Sequence, residues 1–257
     1  AYHQVQHDVY GTVVLAATQA FFDQRLERPG DKALYHRLCA LGETAAQVYD
    51  QPDAGIWEYR GRARVHTYSA MMCWAACDRL QRIAEQLNLD ADARRWQEKA
   101  EHMHADICQR AWSESAGAFT ESFGGESMDA SLLLMHELGF IGADDQRFIA
   151  TVEAIERQLR RGDHLFRYAA EDDFGLPENA FNICTFWFID ALAAIGRGEE
   201  ARRMFENMLN HRTKLGLLSE DLNPETGELW GNFPQTYSMV GLINAAMRLS
   251  RTWEEAL

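Results

Sequence analysis

Cysteine and proline are both scarce, at five each in 257 residues. The cysteines are Cys39, Cys73, Cys77, Cys108 and Cys184, an odd number with no C-x-x-C pair. That favours free thiols in a reducing, cytoplasmic setting over disulfides. Zinc needs three or four ligands at suitable spacing, and His102 and His104, two positions apart, point in different directions on a helix. No metal and no cofactor is expected. No apolar run approaches the length of a membrane span. Basic residues are the minority, 25 Lys+Arg against 39 Asp+Glu, for a net charge of −14. That balance excludes nucleic acid as a partner and a polybasic contact with a membrane. The opening AYHQVQHDVYG lacks the basic start and apolar stretch of a signal peptide. The chain begins at Ala1 instead of a methionine, and an upstream part is expected.

What is abundant is apolar sequence at helical spacing. Segments 5–25, 33–50, 67–87, 91–112, 129–138, 144–160, 180–196, 199–212 and 235–250 read as helices, with a tenth beginning at TWEEAL. Strand signals are few: GAFTESF and HLFRYAA suit small hairpins or extended loops. Pro29, Pro52, Pro177, Pro224 and Pro234 all fall between helices, where the ring interrupts nothing. No low-complexity linker divides the chain, so residues 1–257 read as one domain. Segments 67–80, 180–196 and 235–249 are apolar nearly all round and should be buried. Segments 91–112, 144–160 and 199–212 are amphipathic and charged. This alternation of inner and outer helices predicts an all-α toroid of helical hairpins, an (α/α) barrel, over a simple bundle. No motif recurs at a fixed period, which weakens a superhelical repeat.

Two loops carry the chemistry-bearing residues. Loop 51–66, QPDAGIWEYRGRARVH, places Trp57, Glu58, Tyr59, Arg60, Arg62 and His66 before an inner helix. Loop 213–235, TKLGLLSEDLNPETGELWGNFPQ, places Glu220, Asp221, Asn223, Trp230, Asn232 and Phe233 before another. Each sets a carboxylate among aromatic and apolar neighbours. Two carboxyl groups in unlike surroundings are what glycoside hydrolysis requires, one as proton donor and one acting on the opposite face of the sugar. Aromatic rings supply platforms for sugar faces. The competing reading of a glutamate beside a tryptophan is an ordinary loop residue.

The stretch DAGIWEYRGRARVHTYSAMMCWAACDRL, residues 53–80, resembles the GIWE motif and following helix of glycoside hydrolase family 15, which includes glucoamylases, glucodextranases and bacterial trehalases. GLLSEDLNPETGELWGNFPQTYSMVGLINAAMRL, residues 216–249, is similar to that family's second catalytic segment. Gln6, Asp8, Tyr10 and Gly11 match its Q-x-D-x-Y-G, and residues 129–159, 164–168 and 186–209 agree in order. The resemblance implies an (α/α)6 barrel and inverting, exo-acting hydrolysis of terminal α-glucosidic bonds, of glucoamylase type, releasing β-glucose. It implies Glu58 as general acid and Glu220 as general base, at a separation of about 6.5–9.5 Å that leaves room for a water. Trp57, Arg167, Tyr237, Tyr59, Arg60 and Trp230 fall at positions implied to bind or flank the sugar. For Arg60 and Arg62 the competing role is a loop salt bridge. For His66 it is a satisfied ring at a helix start, and for Trp230 a packing role.

The resemblance covers only the C-terminal part of the family's catalytic domain. The first inner helix with its W-x-R-D motif, the second helix and any preceding β-sandwich have no counterpart here. The toroid is therefore expected to be incomplete, lacking its first hairpin, with apolar helix faces uncovered. A homodimer through that gap is one expectation, and closure by shifted helices is the other. The isolated chain is expected to be inactive or weakly active toward its α-glucoside or oligosaccharide substrate. The alternative functions are a trehalase of the same family and a carbohydrate-binding helical toroid without activity.

Overall fold

In a computed structural model that describes residues 4–171 and 175–250, helical spacing in the sequence becomes helix almost segment for segment. The long helices are α1 (Asp8–Phe22), α2 (Lys32–Val48), α3 (Thr67–Gln86) and α4 (Asp90–Arg110). A 3-10 turn, Ala130–Leu133, runs into the short α5 (Leu134–Glu137). Then follow α6 (Gln146–Leu159), α7 (Asn182–Ala194), α8 (Gly198–Asn210) and α9 (Thr236–Ser250). The expected helix at TWEEAL falls on residues outside those described. Side chains set several starts: Asp31 accepts from Leu34 N–H ahead of α2, and Asp145 from Arg147 N–H ahead of α6.

The chain gathers into two compact units. The first comprises Ala1–Ser113 with Glu121–Gly125, and the second Glu114–Thr120 with Glu126–Leu257.

In the first unit α3 is the central element, and α1, α2 and α4 pack on it. Its apolar first half, Ala70 to Cys77, is buried throughout. Two glycines let neighbours approach it closely, one at its backbone and one at a side chain. A Cβ on Gly11 of α1 would lie 2.1 Å from the Met72 carbonyl oxygen, and one on Gly42 of α2 would lie 2.2 Å from Leu80. The amphipathic α4 turns Trp96 fully inward. Its indole N–H donates to the Tyr35 hydroxyl, which donates to Asp92, so no polar atom of the pair is stranded.

In the second unit α7 is buried from Asn182 to Leu192, and α6, α8, α9 and the 3-10 turn pack around it. Two short strands come earlier in the chain, β1 (Trp112–Ser113) and β2 (Ala118–Phe119), the latter within GAFTESF. Strands β3 (Arg160–Arg161) and β4 (His164–Leu165) form a small hairpin, so HLFRYAA begins as a strand. Strands β5 (Ala180–Phe181), β6 (Asp221–Leu222) and β7 (Leu229–Trp230) form an antiparallel sheet, pairing Phe181 with Asp221 and Asp221 with Trp230.

Helix α9 departs from the sequence reading, which buries it on all sides. Only Ser238, Gly241 and Ala245 are buried, while Tyr237, Val240, Ile243 and Met247 are exposed. The reason is spacing. A Cβ on Gly241 would lie 2.7 Å from Ile183 and 2.8 Å from Phe186 of α7, so α9 is drawn against α7 by its small residues and leaves its large ones outward. Helix α1 likewise exposes Val9, Val13 and Phe22. All five cysteines are free. Among the described residues no helix is long and apolar enough to cross a membrane.

Candidate functional site

The first of the two loops is closed at its base by a backbone bridge between Asp53 and Arg64, with N···O distances of 2.8 and 3.2 Å. Inside it, Tyr59 N–H donates to Ala54 O at 3.0 Å and Glu58 N–H to Gly55 O at 3.1 Å. The pair repeats the 6→1 and 5→2 hydrogen-bond pattern of a Schellman closure, though no helix precedes it and Gly55, its second residue, is itself at φ 66°; the fifth place of that pattern is left-handed and usually held by glycine. Here Glu58 holds that place, at φ 56°. The left-handed region costs a residue with a Cβ about 1–2 kcal/mol. The closure presents the Glu58 carboxylate outward, with Trp57 half-buried on one side and Tyr59 buried on the other.

Packing behind the closure is aromatic and charged. The Tyr59 ring stacks on His66 (5.6 Å, 18°), and the Arg62 guanidinium lies over it at 5.2 Å. Arg62 and Arg64 both reach the buried carboxylate of Glu121, at 3.3 and 2.5 Å. Arg62 therefore takes the salt-bridge role weighed for it. Burial holds the His66 imidazole below its usual pKa. Asp53, buried, accepts from His7 N–H (2.9 Å) and the Ser69 hydroxyl (2.7 Å). Burial, with the charges of Asp53 and Glu58 adding to it, pushes Asp8 up to about 6. Arg60 is exposed.

The second loop folds as the β6–β7 hairpin, and Glu220 stands immediately before β6. Its backbone extends the sheet in both directions: its carbonyl accepts from Asn182 N–H at 2.9 Å, and its N–H donates to Asn232 O at 3.0 Å. The carboxylate is gripped by donors. Oε2 accepts from the Asn232 N–H at 3.0 Å and from its side-chain amide at 2.9 Å, and Oε1 from the Gln235 amide at 3.4 Å. Gly231, at φ 78°, passes so close that a Cβ there would lie 2.7 Å from Glu220 Oε2. Next door, burial pushes Asp221 up to about 6, with Arg167 opposing and Glu220 adding to the rise.

The structure thus brings Glu220, Arg167, Trp230 and Tyr237 into the second unit around one small sheet. The Arg167 guanidinium lies 5.1 Å over Tyr168, Trp230 sits opposite Asp221 with half its surface exposed, and Tyr237 meets Phe181 and Trp187 edge-on at 6.4 and 5.9 Å. Trp57, Glu58, Tyr59 and Arg60 share the first loop, where Tyr59 is 7% exposed and packs within it. A cavity of about 550 Å³ in the second unit is lined by Arg161, Phe166, Tyr168, Leu176, Asn223 and Glu225, but by neither Glu220 nor Arg167. Among the described residues no group of three or more His, Cys, Asp or Glu side chains is placed to hold a metal ion.

Sequence reasoning passed over Gln4, Glu121, Gly231 and Gln235, which fasten the two glutamates or their loops. Gly231 and Gln235 lie inside the G-N-F-P-Q stretch and had a signal. Glu121 had none, since it is 57 residues from Arg64.

Comparison with known proteins bears on the family and the fold. The trehalase of Mycolicibacterium smegmatis is 37% identical over all of this chain and 38% of its own length. The trehalase of Thermoplasma acidophilum is 34% identical over 98% of this chain and 43% of its own. The chain thus spans about two fifths of the curated relatives it matches. Among solved structures, a wild-type glycosidase superposes with a TM-score of 0.81 at 18% identity, covering 97% of this chain and 68% of that one. The glucoamylase of Saccharomycopsis fibuligera superposes at 0.78 and 13% identity, covering 95% and 70%. These likenesses show the fold, the α/α toroid class expected from the sequence. The sequence model of glycosyl hydrolases family 15 matches residues 1–247, and the chain belongs to that family.

Proposed function

We propose that this chain carries the general acid and general base of an inverting hydrolase acting on α,α-trehalose. The observation that carries the choice of substrate is that relatives named trehalase are 34–37% identical over 98–100% of the chain. The expectation of a glucoamylase-type specificity gives way to its alternative on that ground.

In this reading Glu58, protonated, gives its proton to the glycosidic oxygen as the C1–O bond breaks. Glu220, ionised, takes a proton from the water that attacks C1 from the opposite face. The groups around Glu220 support its part: the Asn232 and Gln235 contacts all donate, which casts the carboxylate as acceptor. The outward carboxyl of Glu58 supports its own part, since an acid must reach a bond it does not otherwise contact. Trp57, Arg60, Arg167, Trp230 and Tyr237 bind the sugar rings and hydroxyls, and Tyr59 supports the loop from beneath.

Inversion at one C1 of trehalose releases one β-glucose and one α-glucose per turnover, whereas inverting hydrolysis of maltose frees the glucose of the non-reducing end as β and leaves the other with the anomeric mixture it already had. The test is proton NMR of the first products formed by the complete polypeptide from trehalose, maltose and isomaltose. The reading expects trehalose to be preferred and to yield the two anomers in equal amounts. Glu58→Gln and Glu220→Gln should each lower kcat by about 100-fold or more with the fold intact. Preferred cleavage of maltose or isomaltose would return the assignment to glucoamylase, and full turnover by either variant would end it.

A further inference from the structure

Residues 4–7 lie along the first loop like a strap. Val5 O accepts from Ala54 N–H at 2.8 Å, and His7 N–H donates to the Asp53 carboxylate at 2.9 Å, so the strap's own backbone is anchored beside the closure. Its two side-chain amides then go to particular carbonyls. Gln4 Nε2 donates to the carbonyl of Glu58 at 2.6 Å, and Gln6 Nε2 to that of Gly55 at 3.1 Å. Gly55 O is also the acceptor of the Glu58 N–H. The two glutamines therefore hold the first and last carbonyls of the four-residue turn that ends in the left-handed glutamate.

A glutamate does not stay left-handed unless its surroundings require it. Returning Glu58 to an ordinary φ would swing its carbonyl off Gln4 and pull its N–H from Gly55. It would also re-aim the side chain. We propose that Gln4 and Gln6 are positioning residues for the general acid: their amides select the left-handed backbone of Glu58 and so aim its carboxyl at the glycosidic oxygen. The proposal rests on the reading of Glu58 as the acid. Neither glutamine needs to touch substrate, and each acts through the main chain.

The test separates proton donation from every other part of the reaction. Fluoride leaves C1 without being protonated, so hydrolysis of α-glucosyl fluoride needs the base and the sugar contacts but not the acid. Gln4→Met and Gln6→Met keep side-chain length and remove the donor. The two variants and their combination, in the complete polypeptide, are assayed on trehalose and on α-glucosyl fluoride. The double variant is expected to lose about 10-fold or more in kcat on trehalose and under about threefold on the fluoride, with KM for trehalose within about twofold. The ratio of the two rates is indifferent to how much enzyme is folded, because both substrates report the same active molecules. Equal losses on both substrates, or no loss on either, would overturn the proposal. Glu58→Gln is the control. If it too falls selectively on trehalose, a negative result with the glutamines counts against the strap alone. If it does not, the acid assignment itself has failed.

Discussion

Asn232 holds one oxygen of Glu220 from two sides, with its main-chain N–H at 3.0 Å and its side-chain amide at 2.9 Å. The same residue accepts the Glu220 N–H, so carboxylate and backbone are fixed to one partner across the hairpin. A carboxylate held this way loses little orientation freedom when a water arrives beside it, which is what the proposed role of base asks of it.

Gly231 is what permits that grip. An added methyl at 2.7 Å from Oε2, on a residue at φ 78°, must push the carboxylate or unwind the turn. Gly231→Ala should lower kcat on trehalose by about 10- to 100-fold and destabilise the fold by about 1–2 kcal/mol. Activity within twofold of wild type would mean that the hairpin yields without moving Glu220.

The left-handed backbone of Glu58 carries a stability cost at the position of the proposed acid. Glu58→Ala and Glu58→Gly both remove the carboxyl, but only glycine relieves the φ of 56°. Thermal melts should find the glycine variant more stable than the alanine variant by about 1 kcal/mol, with both inactive on trehalose. An alanine variant at least as stable as the glycine one would argue that the closure relaxes once the carboxyl is gone.

Asp190, on the buried face of α7, is pushed by burial from its ordinary 3.8 up to about 7, with Glu137 adding to the rise and Arg248, 3.9 Å away, opposing it. Because the folded value lies above the unfolded one, the fold keeps a proton there that the unfolded chain has lost. The associated stability is present below about pH 4 and is lost as pH climbs through about 7. The ceiling is roughly 4 kcal/mol. Asp190→Asn should therefore gain on wild type in denaturant midpoint between pH 4.5 and 8, and a pH-independent difference would refute the assignment.

His164 runs the other way. Its ring is 5% exposed, stands edge-on to His211 at 5.2 Å, and is held at about 4 by burial first and by His211 second. A base with a depressed folded value contributes stability above about pH 6.5 that is lost as pH falls through 4. Wild type should lose more stability than His164→Gln on acidification from pH 7 to 4, as read from urea midpoints at matched salt. Parallel acid curves for the two proteins would place the acid sensitivity elsewhere.

The helices were legible because their signal is local and repeated. Segment 67–87 announces α3, and segment 180–196 announces α7, within a few residues at each end. What sequence could not show is which face a small residue claims. In α9 the apolar count promised burial, yet Gly241 and Ala245 decide the inward face and Ile243 stays outside. Within the candidate site, Glu58 and Glu220 stood out by motif and neighbours. The left-handed backbone of Glu58 did not, since a glycine would have been the ordinary occupant. The Glu121 anchor of Arg62 and Arg64 is a tertiary event between distant positions, and no window along the chain reports it.

The polypeptide leaves the first unit after Ser113, spends Glu114–Thr120 in the second, and returns for Glu121–Gly125 before departing for good. No single cut can therefore separate the two units cleanly. A product ending at Ser113 would forfeit Glu121, stranding two arginines, and would free the Thr67 amide that the Glu121 carbonyl receives at 2.9 Å. Anyone dissecting this protein should expect half-molecules to fold poorly. A better excision would carry the five-residue return stitch along, rejoined to the first piece by a short designed bridge.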